Sequence, residues 1–237
     1  MAVKFELFGS QHLIALLVIF MVALIPPLIL KKINDTRVNQ QFSIWFGWFM
    51  MVYFILKHLY GVFGLKEAWQ IWLPLHMCHL GQMMIAYCLI TGKRGFYISI
   101  LYFWTFGGAA MALITPDLAF GWPDPNYIMF MATHGLLLLG ALYFTITEKL
   151  RPGVSDIWRV LKVSIYVMLI ILPLNYIIGG EANYFYLRFP PVSGSLMDFL
   201  PAPPLHIPFF VVLAYVVFWL VYLPYYIKDK LAASNID

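Results

Sequence analysis

Apolar positions along this chain run on without the period-2 alternation of a half-buried strand or the narrow stripe of a surface helix. Seven stretches of about twenty residues carry few charges, each closed by charged, proline or glycine punctuation: roughly 11–30, 42–62, 72–91, 96–115, 127–147, 159–179 and 206–227. Runs of that length predict helices that cross bilayer hydrocarbon. The connections are short, with one exception. Residues 180–205 hold Pro190, Pro191, Pro201, Pro203 and Pro204, too many for a helix interior, and mix EANYFYLRF with SLMDFL. That segment is expected to form a surface or re-entrant cover. No repeat and no separate soluble domain interrupts the pattern. The expected fold is all-α, with residues 1–237 forming a single seven-helix membrane domain.

Composition agrees. The chain is 62% hydrophobic and 11% charged, against about 25% charged in a soluble domain. The net charge of +4 does not point to nucleic acid, because the basic residues sit in short loops. Lys31, Lys32, Arg37, Lys93, Arg94, Lys149, Arg151, Arg159, Lys162, Lys228 and Lys230 fall on one side of the alternating spans; Lys4, Lys57, Lys66 and Arg188 fall on the other. Eleven against four predicts an outside N-terminus and an inside C-terminus. The segment MAVKFELFGSQH lacks a basic n-region, and no A-x-A-like site follows, so the first run is expected to be retained as a span. Localisation follows as a multi-pass protein of the cell membrane, with membrane lipids as the natural partners.

On this topology all six histidines fall in the outer half. His12 and His206 open spans 1 and 7, where they are expected to snorkel to headgroups. Lys57 and His58, near the end of span 2, are expected to reach the same surface. His76 and His79 occupy the first two turns of span 3, with Pro74 at its first turn, where a missing N–H costs little. His134, in MATHGLLLLG, is deeper and flanked by apolar residues, a placement that points to an interior site. Counting from Trp72 and Tyr127 at 1.5 Å per residue, Cys78 and His134 come to depths of about 9 and 10 Å. Cys78 and Cys88, ten residues apart on one expected helix, are too far apart to pair.

The ordered marks Leu73-Pro74-Leu75-His76-Met77-Cys78, Gly107-Gly108, Ile114-Thr115-Pro116-Asp117, His134-Gly135, Arg151-Pro152, Asn175 and Asn183-Tyr184 resemble the YwaF-type family of bacterial integral membrane proteins. That family is in turn similar to the eukaryotic transmembrane-164 acyltransferases. The resemblance implies a polytopic thiol acyltransferase acting on membrane lipids, with the cysteine of the Pro-Leu-His-x-Cys motif and a later histidine as the reactive pair: here Cys78 and His134.

The residues allow that chemistry. An imidazole can take the thiol proton and hold the resulting ion pair. His76, His79 and Gln82 stand near Cys78 as orienting groups or oxyanion donors. Thr115, Asp117, Asn126, Asn175, Asn183 and Tyr184 gather at the same end and are candidates for binding a headgroup. This reading requires no metal or cofactor. Two rivals remain open. One is a zinc-dependent lipid hydrolase with ligands from His76, His79 or His134 and Asp117, although no H-E-x-x-H motif is present. The other is a transporter or binding protein, against which stands the lack of polar groups in the inner half beyond hydroxyls such as Ser99 and Thr145. The two glycines, Gly107 and Gly108, are expected to serve close helix packing.

Overall fold

The computed structural model describes residues 3–190 and 199–234. Among these residues the chain is helical, with one isolated bridge, Lys4 to Phe120, and no strand. Helix α1 (Ser10–Ile33) and helix α2 (Thr36–Leu59) form the first hairpin. Asn34 turns the corner in a left-handed conformation, and the Asp35 carboxylate caps α2 by accepting from the amides of Arg37 and Val38. A five-residue π turn, Tyr60–Gly64, carries α2 further. Helix α3 is Met77–Thr91; α4 (Phe96–Trp104), a π turn at Thr105–Ala109 and α5 (Ala110–Ile114) together make one crossing. Helix α6 (Pro125–Leu142) continues through a π turn to Thr147, and α7 (Val154–Ile178) and α8 (His206–Ser234) complete the bundle.

Six of the crossings are long and apolar enough to span a bilayer; α3, with 15 residues, is shorter. At about 22 Å it falls short of the roughly 30 Å hydrocarbon core. The seven expected spans are therefore present, but the third is helical only from Met77, not from residue 72. Pro74 lies outside the helix. It has no N–H to donate and pushes Leu73 toward extended backbone, and His76 becomes the extended residue that precedes the first turn. Non-helical backbone at this depth survives when the protein satisfies it. Here the Tyr184 hydroxyl does so, accepting from the Leu73 amide at 3.0 Å and donating to the Gln70 carbonyl.

The helices that carry the histidine-bearing end pack tightly. Helix α3 lies between α2 and α6, and α1 packs on α6. Ser43 donates to the Leu89 carbonyl at 2.8 Å and Gln82 to the Met50 carbonyl at 3.2 Å, fixing α2 against α3. Gly108 in the central π turn faces Met77, whose terminal methyl would have to shift for a side chain there, and Gly107 faces Phe218 of α8. Leu13, Ile14, Leu17 and Val18 of α1 and Val212, Val216 and Leu220 of α8 are exposed, as a lipid-facing surface requires. At the opposite, basic end Arg94 clasps Glu148 through Nε and Nη2 at 2.5 and 2.6 Å. Burial pulls the Arg94 guanidinium down, and Glu148 more than offsets it, so the group is held above its ordinary value.

The first part of the proline-rich segment packs on the bundle, and residues 191–198 lie outside the described residues. Ala182, Tyr184, Phe185 and Leu187 pack on Met168 and Ile171 of α7 and against Leu73, Leu75, Met77 and Leu80 at the start of α3. The Asn175 side chain clamps it, donating to the Tyr184 carbonyl at 2.9 Å and accepting from the Tyr184 amide at 2.8 Å.

Candidate functional site

Helices α3 and α6 both start at the histidine-bearing end and run the same way. Gly81 faces Leu137, and Gly140 faces Ile85: a Cβ on these glycines would fall 3.6 Å from Leu137 Cδ2 and 2.6 Å from Ile85 Cγ2. Three residues before Gly81 and Leu137, on the same helix surfaces, stand Cys78 and His134. The two are therefore level on neighbouring helices. The far end gives the same result, because each lies thirteen residues before its helical segment ends, at Thr91 and Thr147. That is about 20 Å from the basic end, leaving about 10 Å to the other edge of a roughly 30 Å core. The count from Trp72 does not hold, since residues 72–76 are not helical.

Because α3 starts at Met77, Cys78 is the second residue of the helix. The first-turn amides have no partners inside the helix, and the dipole there favours a negative charge. His134 is buried, with Nδ1 2.8 Å from the Phe130 carbonyl and its ring 4.1 Å from that of Phe130. A carbonyl only accepts, so Nδ1 carries the hydrogen and Nε2 is the nitrogen with the free lone pair.

Beside Cys78 on α3 lies a knot of rings. His76 and His79 have centroids 5.5 Å apart, His79 and His58 4.6 Å, and His76 sits 4.8 Å from Tyr184 and 6.3 Å from Tyr186. His58 Nδ1 donates to the Phe54 carbonyl at 2.6 Å, which leaves its Nε2 bare; Nε2 of His58 and Nδ1 of His79 are buried without a hydrogen-bond partner. Tyr186 donates to Asp117 at 3.2 Å. Burial first, and Asp117 second, push the Tyr186 phenol up, so it stays protonated and a donor.

Lys57 does not reach the surface as expected. It is 6% exposed and donates to Thr133 Oγ1 at 3.2 Å, one residue before His134. The reason is helix length: the π turn carries α2 seven residues past Lys57 to Gly64, too far for the side chain to climb. His58 is likewise turned inward, against Trp72 and His79. His12 and His206 also fail to snorkel; both are buried. His12 donates from Nε2 to the Leu113 carbonyl at 2.8 Å and accepts the Phe8 amide at Nδ1, while His206 donates to the Tyr186 carbonyl at 2.9 Å.

The remaining candidates separate by what their polar atoms already do. Gln82 is fully buried; its Nε2 donates to the Met50 carbonyl of α2, and its Oε1 is buried without a hydrogen-bond partner. Thr115 donates back to the Met111 carbonyl of its own helix. Asn126 donates to Glu67 at 2.6 Å, and Glu67 in turn accepts from Trp72. Asn183 folds its own turn through Phe189 and Arg188. Asn126 and Asn183, with Asn175 and Tyr184, hold the outer loops in place. Lys57, Thr133, His58 and Tyr186 lie beside the candidates on α3 and α6, though the sequence offered none of them as a site candidate and placed Lys57 and His58 at the surface. The legible signal for Lys57 was the stretch LYGVFGL, residues 59–65, which separates Lys57 and His58 from the next charged residue, Lys66.

Among the described residues no group of three or more His, Cys, Asp or Glu side chains is disposed to hold a metal ion. His76, His79, His134 and Asp117 thus do not assemble the ligand set that the zinc reading needs. The model of one protein family, the TMEM164 family, matches residues 7–222. No curated protein and no solved structure matches the chain.

Proposed function

The chain belongs to the TMEM164 family, and from that premise we propose that this multi-pass membrane protein is a thiol acyltransferase acting on the acyl esters of membrane lipids. The observation that carries the reading is the parallel register of α3 and α6, set by Gly81 against Leu137 and Gly140 against Ile85, which brings Cys78 level with His134. The tautomer of His134 supports it, since Nε2 is left able to accept a proton.

His134 Nε2 takes the proton of the Cys78 thiol. The thiolate attacks the ester carbonyl carbon, forming a C–S bond and a tetrahedral oxyanion. The oxyanion collapses, the C–O bond breaks, and the leaving lysolipid oxygen takes the proton back from His134. The acyl group then rests on Cys78 as a thioester until the hydroxyl of a second lipid, or water, attacks it with His134 again as base. The depth of the pair, about 10 Å inside the hydrocarbon edge, suits an ester carbonyl entering from the leaflet. The cover, packed on the first turn of α3, limits water there.

The test is labelling of the protein in vesicles with a phospholipid carrying a clickable acyl chain, followed by mass spectrometry of the acylated residue. The wild type is expected to carry hydroxylamine-sensitive label on Cys78, and Cys78→Ala and His134→Gln are expected to lose it. Full labelling and turnover in Cys78→Ala overturns the reading.

A further inference from the structure

Lys57 is a buried amine that meets no carboxylate among the described residues. It takes part in no ion pair among the described residues; its contacts are the Thr133 hydroxyl at 3.2 Å and the Phe54 ring at 5.8 Å. Thr133 is fixed to receive it, since the Thr133 hydroxyl gives its own proton to the Met129 carbonyl at 2.7 Å. Tyr53 closes the same pocket, donating to Met129 at 3.1 Å. An ammonium held out of water by one neutral hydroxyl is costly, and an ionisable group kept at membrane depth marks a functional site.

Its place in the bundle says which charge it waits for. Helices α2 and α3 are antiparallel: Gly47 meets Leu89, Met50 meets Gln82, and Phe54 and His58 meet His79. Followed in that direction, Lys57 lies across from the first turn of α3, where Cys78 is the second residue. Through Thr133 it is also tied to α6 beside His134. Its charge reaches Cys78. The other titratable groups of this ring cluster and its neighbours are His76 and His79 on α3, His58 on α2, His134 on α6 and Tyr186 on the cover, none of which is an anion that could satisfy Lys57 first. Asp117 already receives Tyr186.

We propose that Lys57 is the cationic partner of Cys78, balancing the thiolate and then the oxyanion of the lipid ester under attack, with Thr133 holding the ammonium between turnovers. This rests on Cys78 being the nucleophile. No bond to Lys57 forms or breaks: the thiol proton goes to His134, and Lys57 stays charged while its partner changes from sulfur to oxygen and back.

The experiment is alkylation of Cys78 by iodoacetamide in proteoliposomes, quantified at the Cys78 peptide by mass spectrometry across pH, with thermal melting of each variant alongside. Lys57→Met is expected to slow alkylation at neutral pH about tenfold, the lower end for loss of one adjacent opposite charge, and to recover the wild-type rate in alkaline buffer. Lys57→Arg keeps the rate near wild type. Lys57→Met melts no lower than wild type, because it removes an unpaired buried charge. Equal alkylation rates in wild type and Lys57→Met overturn the proposal. So does a slowing that Lys57→Arg shares together with a lowered melting temperature, which marks a packing role. If Lys57→Met is not recovered from membranes, Lys57→Gln is read by the same two criteria. Alkylation needs no lipid acyl donor, so a wild-type protein that takes no acyl label fails the acyltransferase reading without deciding this one.

Discussion

Gly140 of α6 meets Ile85 of α3 so closely that a Cβ would lie 2.6 Å from the Ile85 branch methyl, Cγ2. Together with Gly81 against Leu137, this contact sets how far α3 is slid along α6. It therefore sets whether Cys78 and His134 stand level.

Gly140→Ala must push the two helices apart or force Ile85 off its rotamer, at a cost of about 1–3 kcal/mol. Acyl labelling of Cys78 should fall with it, since a displacement of about 1 Å can cost about 100-fold in rate. Ile85→Leu moves the branch away from Gly140, so the double variant Gly140→Ala with Ile85→Leu should regain part of both melting temperature and labelling. A double variant that melts and labels no better than Gly140→Ala alone would show that this contact does not set the register.

The cover hangs on Asn175, which is fully buried and spends both ends of its amide on the Tyr184 backbone. Asn175→Ala leaves a buried amide and a buried carbonyl unpaired, at about 1–3 kcal/mol each. Hydrogen exchange at Tyr184 and Tyr186 should accelerate while exchange in α3 and α6 stays slow. Uniform acceleration across the bundle would mean that Asn175 supports the whole fold and not the cover.

Much of this was legible because lipid writes long messages. A run of twenty apolar residues in a chain only 11% charged has few homes outside a bilayer. Once the spans alternate, every histidine is assigned to one end, where the structure has them all. The level of Cys78 with His134 was partly legible for the same reason, although the count from Trp72 fails where residues 72–76 leave the helix. What stayed hidden depends on partners far along the chain. Hydropathy cannot see that the Leu113 carbonyl will claim His12, or the Tyr186 carbonyl His206. It cannot see that Tyr184 will satisfy the backbone ahead of α3 and so let the helix start at Met77. Lys57 was misjudged because a lysine near a helix end ordinarily snorkels, and here the helix does not end in time.

His12 joins α1 to the end of α5 through Leu113 and turns the chain at Phe8, apart from the rings around Cys78. His12→Leu should lower stability by about 1–3 kcal/mol for each stranded backbone group, visible as a reduced melting temperature in detergent. Labelling of Cys78 per folded molecule should hold at the wild-type level. A selective loss of labelling at unchanged stability would move His12 into the site.

His79 offers the sharpest separation of structural from functional roles. Its Nδ1 is buried without a partner, and its ring stands between His58 and His76, on the helix that carries Cys78. If His79 served packing alone, evolution's cheaper choice would be an apolar side chain, because an unsatisfied buried nitrogen costs about 1–3 kcal/mol. A site that keeps such a cost is one where a donor or acceptor is wanted for something absent at rest, such as the oxygen of an attacked ester. His79→Leu should therefore melt at the wild-type temperature or higher, while acyl labelling of Cys78 falls about 100-fold or more. Alkylation of Cys78 by iodoacetamide, which builds no oxyanion, should change far less. If labelling and alkylation fall together, His79 acts on the thiol itself; if neither falls, the unpaired nitrogen has no part in the chemistry.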